Sequence, residues 1–399
     1  LLYVTGGIIA VLTLLQTNWK NQVDHRKVEA DIQKNEQDAK NEAAKREQDA
    51  VKSERDHTRQ VHAERRSRYT TAVGQLADEK VAIRLGGIYT LTGLIDEWLA
   101  DSTLNEEEQQ KEGQVIINNL CSYIRSPFPL AEKREVLEED QVPDDYDGNF
   151  TADQARLRGE QDVRRTIFEE LSKRSSTVSV EENKEVTVTP GTWSGFKSDF
   201  SRALIFYPLN NLTIEQGNFV STRFYGEADF RGTKFTGVAD FGSTKFTGAA
   251  DFGDAKFTGA ADFWGAKFIR NAHFRNAKFT RNADFGGAKF TGDAYFWGAE
   301  FTGNTSFNSA YFKQHAPVFA DASGAARFSA QVDPQYYVFS VNESSKPVKC
   351  ETATLLGKSF IIPLGTVLFD PSSRDKNTRT SESAKTLGES NNGEEDKPE

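Results

Sequence analysis

The side chains able to hold a metal, carry protons or attack as nucleophiles are few: His25, His57, His62, His273 and His315, with Cys121 and Cys350. His57 and His62 stand five apart in a strongly charged segment, which matches no ligand pattern and reads as a solvated helix face. The two cysteines fall in separate sections with no CxxC and no histidine nearby, so neither a zinc site nor a disulfide framework is indicated, and a reduced compartment is the default. Phosphate loops, nucleophile elbows and HExxH helices are absent. What remains is a regular series: Asp229, Asp240, Asp251, Asp262 and Asp284 interleaved with Lys234, Lys245, Lys256, Lys267, Lys278 and Lys289. Paired carboxylates and amines can do acid-base work, but so strict a recurrence indicates ladders on exposed faces, which keep a surface soluble and blunt lateral pairing. The sequence therefore offers no catalytic residue, no metal ligand and no cofactor-binding motif, and reads as a non-enzyme.

The element that positions these charges is an internal repeat. In AKFTGAADFWGAKF, residues 255–268, Phe257, Phe263 and Phe268 lie six and then five apart, and the beat runs outward from Phe219 to Phe312. The residue two before each Phe is small, as at Ala250, Ala255, Ala261, Ala266, Ala272 and Ala277. Sameness at i−2 and i is the period of an extended strand, so Ala and Phe share one face and Asp or Lys takes the other. A helix would scatter this pattern, and each Gly of the TG corners would cost it about 1 kcal/mol. Short strands separated by corners, stacked so that each Phe covers the Phe of the coil below at about 4.8 Å, satisfy it. His273 takes an outward slot otherwise filled by Asp and reads as a surface substitution.

The A-D-F-x-x and A-K-F-T-G units resemble the pentapeptide-repeat family over about 209–312. That resemblance implies a right-handed quadrilateral β-helix. The alternation of five and six departs from a plain period of five, leaving the coil length open, and the sixth residue, Ala260 for example, is expected to be absorbed as a corner bulge.

Around the repeat the chain changes character several times. Residues 1–18 open with LLYVTGGIIAVLTLLQ, apolar and uncharged, followed by Trp19 and by Lys20, Arg26 and Lys27. They read as a transmembrane helix whose start is missing, since the chain has no methionine, with the downstream side cytoplasmic by the positive-inside tendency. The expectation is thus a single-pass protein of the cell membrane with the bulk of its chain in the cytoplasm. Residues 19–68 lack Gly and Pro, carry opposite charges at i,i+3 and i,i+4, and read as a helical stalk of roughly 70 Å. Val23, Val28, Ile32, Val51 and Val61 are too irregular for a coiled-coil seam, with weak self-association as the alternative. Residues 69–175 read as a small helical domain, 176–208 as strands entering the repeat, 209–313 as the β-helix, 314–370 as a C-terminal cap, and 371–399 as a tail disordered by composition. The fold class is therefore α+β in several parts. The helical segment YTTAVGQLADEKVAIRLGGIYTLTGL also resembles the region preceding the repeats in bacterial membrane-anchored pentapeptide-repeat proteins.

Three functions follow as expectations. A membrane-anchored, non-catalytic scaffold would present a rigid rod to a protein partner, with Trp264 and Trp297, which follow Phe263 and Phe296, as candidate anchors. DNA mimicry directed at gyrase or another topoisomerase is implied as an alternative by the family resemblance. It needs a negative rod, whereas residues 217–313 carry 12 Lys and Arg against 9 Asp and Glu. Direct nucleic-acid binding ranks last, because Lys alternating with Asp is expected to cancel the field.

Overall fold

The computed structural model describes residues 2–180 and 186–373. It divides into two units, residues 1–68 and 69–399. Helix α1, Leu2–Leu76, is unbroken and supplies all the described secondary structure of the first unit. Its charged stretch is exposed and carries i,i+4 and i,i+3 pairs such as Glu42–Arg46 and Asp56–Arg59. Among the described residues no helix is long and apolar enough to cross a membrane. The membrane span read over residues 1–18 is therefore not supported. The apolar run stops at Leu15, and Gln16, Thr17, Asn18 and Lys20 dilute it within the same helix.

In the second unit, α2 (Val81–Leu99) and α3 (Glu106–Arg125) pack together through Ile88, Leu91, Ile95, Ile117, Leu120 and Ile124. Asn105 starts α3 with a capping box: its side chain accepts from the Glu108 N–H while the Glu108 carboxylate accepts from the Asn105 N–H. A single turn, α4 (Arg134–Leu137), leads to α5 (Phe150–Arg174). Between these helices Arg164 is buried against Glu160, which also pairs with Arg84, and its remaining donors reach the carbonyls of Ile124 and Ser126. A charge this deeply buried persists because the guanidinium is both paired and hydrogen-bonded.

From Ser198 the chain winds into four parallel sheets. In chain order within a coil, the first face holds Ala239–Asp240, Ala261–Asp262 and Ala283–Asp284; the second Lys245–Phe246, Lys267–Phe268 and Lys289–Phe290. The third holds Ala250–Asp251, Ala272–His273 and Ala294–Tyr295; the fourth Lys256–Phe257, Lys278–Phe279 and Glu300–Phe301. Lys245 pairs with Lys267 and Asp240 with Asp262, so one coil consumes the five-and-six beat twice over, and the solenoid makes about five turns.

Four columns of phenylalanine fill it. Phe241, Phe263 and Phe285 stack at 5.0 Å with planes within 3°, and Phe246, Phe268 and Phe290 at 4.7 to 4.8 Å. The first and third columns also meet edge to face across the centre, as Phe252 does with Phe263 at 5.3 Å. Where Thr replaces the small inward Ala, its hydroxyl is satisfied: Thr244 donates to the Phe219 carbonyl at 2.6 Å.

The corners are of two kinds, which explains the alternation of five and six. After Phe263 the turn is tight, with the Ala266 N–H donating to the Phe263 carbonyl at 3.0 Å and Gly265 at φ +65. The same left-handed slot recurs once in every half-coil, at Ser243, Asp254, Asn276, Gly287 and Gly298. After Phe257 the corner is open and takes the extra residue, and the Ala260 carbonyl still accepts from the Ala239 N–H at 2.9 Å. A Cβ on Gly259 in that corner would stand 2.1 Å from the Gly237 carbonyl of the coil before, so the glycine is set by close approach of backbones.

Both ends of the stack are covered. Phe168 of α5 meets Phe200 of the first coil at 4.5 Å, Phe128 stacks on Phe206, and Arg165 donates to the Pro208 carbonyl. The helical part and the solenoid thus share one hydrophobic core. At the other end the beat in sequence breaks after Phe312, yet the stack continues: Phe319 lies on Phe296 and Phe328 on Phe301, each at 5.0 Å. The added residues loop out, and a hairpin of Cys350–Leu355 with Lys358–Pro363 brings Phe360 and Ile362 over the end. Residues 374–399, most of the segment read as a tail, lie outside the described residues.

Candidate functional site

The residues with catalytic chemistry are dispersed. His25 and His57 are exposed on α1. Cys121 is buried under α3, where loss of solvent pushes its thiol up to about 12, out of reach of nucleophile chemistry, and Cys350 is exposed on the terminal hairpin. Among the described residues no group of three or more His, Cys, Asp or Glu is placed to hold a metal.

The outward columns carry the organisation. Each Asp of the first face closes the corner that follows it: Asp240 accepts from the Gly242 N–H at 2.9 Å, Asp262 from Trp264 at 2.7 Å and Asp284 from Gly286 at 2.8 Å. Asp229 and Asp251 do the same on the third face, for Arg231 and Gly253. These carboxylates are therefore structural caps as well as surface charge. Burial, and then the charges of Asp240 and Asp284 one coil away, raise the Asp262 carboxyl above its usual value. Asp229 goes the other way: burial opposes ionisation, but hydrogen bonds from Arg231 outweigh it and hold the carboxyl low.

The two tryptophans are not brought together. They stand one and a half coils apart, so they occupy diagonal corners. Trp264, 58% exposed, lies between the first and second faces with Gly242 and Gly286 at the same corner of the adjoining coils, which leaves room for the indole. Trp297 is half-buried between the third and fourth faces.

Around Trp297 the repeat is broken in a localised way. The third-face column runs Asp229, Asp251, His273, Tyr295. His273 and Tyr295 stack at 5.0 Å and 7°, and the corner caps supplied by Asp in the two preceding coils are absent there. Burial pushes the His273 imidazole below its usual value, keeping the stacked pair neutral. Arg275 reaches Asp251 at 3.6 Å, His315 bonds Asp293 at 2.6 Å, and Asp293 accepts from the Tyr295 hydroxyl at 3.2 Å. Arg270, exposed at the neighbouring corner, borders a groove of about 520 Å³ that runs between Glu132 and Glu135 of the helical part and Thr247, Ile269 and Thr291 of the solenoid. Reading His273 alone as a surface substitution missed this cluster. Aligning the repeat units with one another would have found it, because Ile269, Arg270, His273, Arg275, Asp293, Tyr295 and Trp297 all depart from the unit and fall in adjacent coils.

A family model described as pentapeptide repeats (9 copies) matches residues 219–267 and 263–310. No curated protein and no solved structure matches the chain. The matched residues are those that form the stacked phenylalanine columns of the four-sided coil, so this part of the chain is a pentapeptide-repeat solenoid.

Proposed function

We propose that the protein is a non-catalytic scaffold, held at a membrane, whose solenoid engages a protein partner through the third face around His273, Tyr295 and Trp297. The observation that carries this reading is the local loss of the corner cap. In two consecutive coils a structural hydrogen bond, worth about 1 kcal/mol, is given up for an aromatic pair flanked by Arg275 and Trp297. Departures from a self-consistent pattern that lower local stability mark sites under another demand. Trp, Tyr and Arg are also the residues that dominate binding energy at protein interfaces. Trp264, alone on the diagonal corner, has no such company.

Membrane attachment rests on a separate feature, the run of Ile8, Ile9, Val11, Leu12, Leu14 and Leu15, all exposed on α1 and followed by Trp19. An apolar surface of this kind calls for a cover, and lipid is the cover that the downstream Lys20, Arg26 and Lys27 favour. Mimicry of DNA is disfavoured, since the Asp column of the first face is tied into corner caps and stands between two faces that carry lysine.

The test is in-cell crosslinking of the full chain beside two variants, Tyr295→Ala/Trp297→Ala and Trp264→Ala. Loss of one defined crosslinked protein in the first variant and its retention in the second supports the reading. Equal retention in both removes the third face from consideration. Flotation with vesicles, with and without residues 1–18, reports on attachment independently.

A further inference from the structure

Alternating charges in the sequence become separated charges in space. Because a coil spans two full repeat units, Lys stands over Lys and Asp over Asp, and the two signs fall on different faces. The second face carries Arg223, Lys245, Lys267 and Lys289 in one unbroken column, all four exposed, with their Phe neighbours buried. None of the three lysines makes an ion pair or a side-chain hydrogen bond among the described residues, and no carboxylate interrupts the column between Arg223 and Tyr311. The fourth face differs: Lys234, Lys256 and Lys278 are only partly exposed, and the column continues into Glu300. The first-face carboxylates are accounted for by the corners they cap, whereas nothing among the described residues accounts for the second-face lysines.

We infer that the second face binds a single nucleic-acid strand along the solenoid axis through its phosphates. Adjacent cations sit about 4.8 Å apart, well inside a screening length of about 8 Å, so the four act as one field roughly 14 Å long. The row is one side chain wide. The flanking corners present Gly242, Trp264 and Gly286 on one side and Thr247, Ile269 and Thr291 on the other, where exposed Arg270 adds a cation and Glu132 and Glu135 line the far side of the groove. A line of charge suits a linear polyanion better than a lipid surface, which is met by cations spread in two dimensions. A duplex holds its phosphates at a fixed rise on a curved path, while a single strand can set them against successive rungs. The near balance of charge over residues 217–313 weakens the column's field at a distance but not at contact range, since the first-face carboxylates lie on the adjoining face and are held in their corner caps.

The experiment uses the full chain and a fluorescein-labelled 20-nucleotide oligothymidylate, followed by anisotropy in buffers of increasing KCl. Four phosphate contacts give a slope of about −3 for log K against log salt, so affinity falls roughly 50-fold between 50 and 200 mM. Lys245→Gln/Lys267→Gln/Lys289→Gln is expected to abolish the salt-dependent binding. The corresponding triple Lys→Arg variant keeps it, and Lys234→Gln/Lys256→Gln/Lys278→Gln on the fourth face changes it by less than about threefold. The inference is overturned by binding without salt dependence, by equal losses from the two Gln triples, or by the second-face lysines being needed for vesicles of anionic phospholipid and not for the strand. The crosslinking that tests the third face involves none of these lysines, so either proposal can fail alone.

Discussion

Replacing Phe263 with Ala tests the account of the solenoid at its centre. The ring is fully buried, stacked on Phe241 and Phe285 at 5.0 Å and met edge-on by Phe252 and Phe274 at 5.3 and 5.4 Å. Large-to-small changes at buried phenylalanines cost about 3–5 kcal/mol, and a site enclosed on both sides by rigid coils cannot collapse, which places this one near the upper end. Against a total stability of about 5–15 kcal/mol, that is a large fraction. Phe339 provides the comparison. It lies at the C-terminal end of the stack, with Phe307 at 5.9 Å and Phe319 at 6.0 Å, and its loss opens a cavity that neighbouring loops can fill. Phe339→Ala should cost about half as much. Urea unfolding followed by circular dichroism and by tryptophan fluorescence measures both, and disagreement between the two signals would reveal separate unfolding of coils. A loss below about 1.5 kcal/mol for Phe263→Ala, or a larger loss for Phe339→Ala, would refute the view that the stacked columns carry the fold.

Other consequences are as direct. Asp262→Asn keeps an oxygen for the Trp264 N–H while removing a charge that burial and the neighbouring Asp240 and Asp284 make unfavourable. Because the folded-state carboxyl lies above its usual value, its ionisation destabilises the fold as pH rises through the carboxylate range. The variant should therefore melt higher than the parent at pH 7, with the difference vanishing on acidification below about pH 4, and a constant difference across pH would contradict this. Asp284→Ala removes a corner cap outright and should cost about 1 kcal/mol by urea unfolding, with Asp284→Asn largely restoring it. Glu160→Gln leaves the buried Arg164 guanidinium without its countercharge and should cost about 3–5 kcal/mol by the same measurement, far more than exchanging the exposed partners Glu42 and Arg46 on α1.

Much of the architecture was legible because a repeat states its geometry many times over. Ala and Phe at i−2 and i imposed extended backbone, and the five-and-six beat required a corner with an extra residue, which the open corner after Phe257 supplies through Ala260. The helices α2, α3 and α5 follow from apolar periodicity, with side-chain caps at Asn105 and Asn149 starting the last two. The membrane span over residues 1–18 rests on the uncharged run to Leu15 with Trp19 and basic residues after it, and the polar residues that follow Leu15 within the same helix remove its support. Continuation of the stack beyond Phe312 could not be read from the beat, because inserted loops change the spacing in sequence while leaving Phe319 and Phe328 in register in space.

Local sequence by itself determined which residues are extended, which side chains turn inward and that the coils must stack, since these depend on steric period and hydrophobic burial over short stretches of chain. The length of the coil was decided only by closure of the four sides, and with it everything that depends on which residue stands over which. Closure sorted Asp and Lys onto separate faces, set Trp264 and Trp297 on diagonal corners, and gathered His273, Arg275, Tyr295 and Trp297 into one patch. Those are relations across a whole coil of chain, fixed by hydrogen bonds between coils and by phenylalanine packing through the centre, and no local preference encodes them.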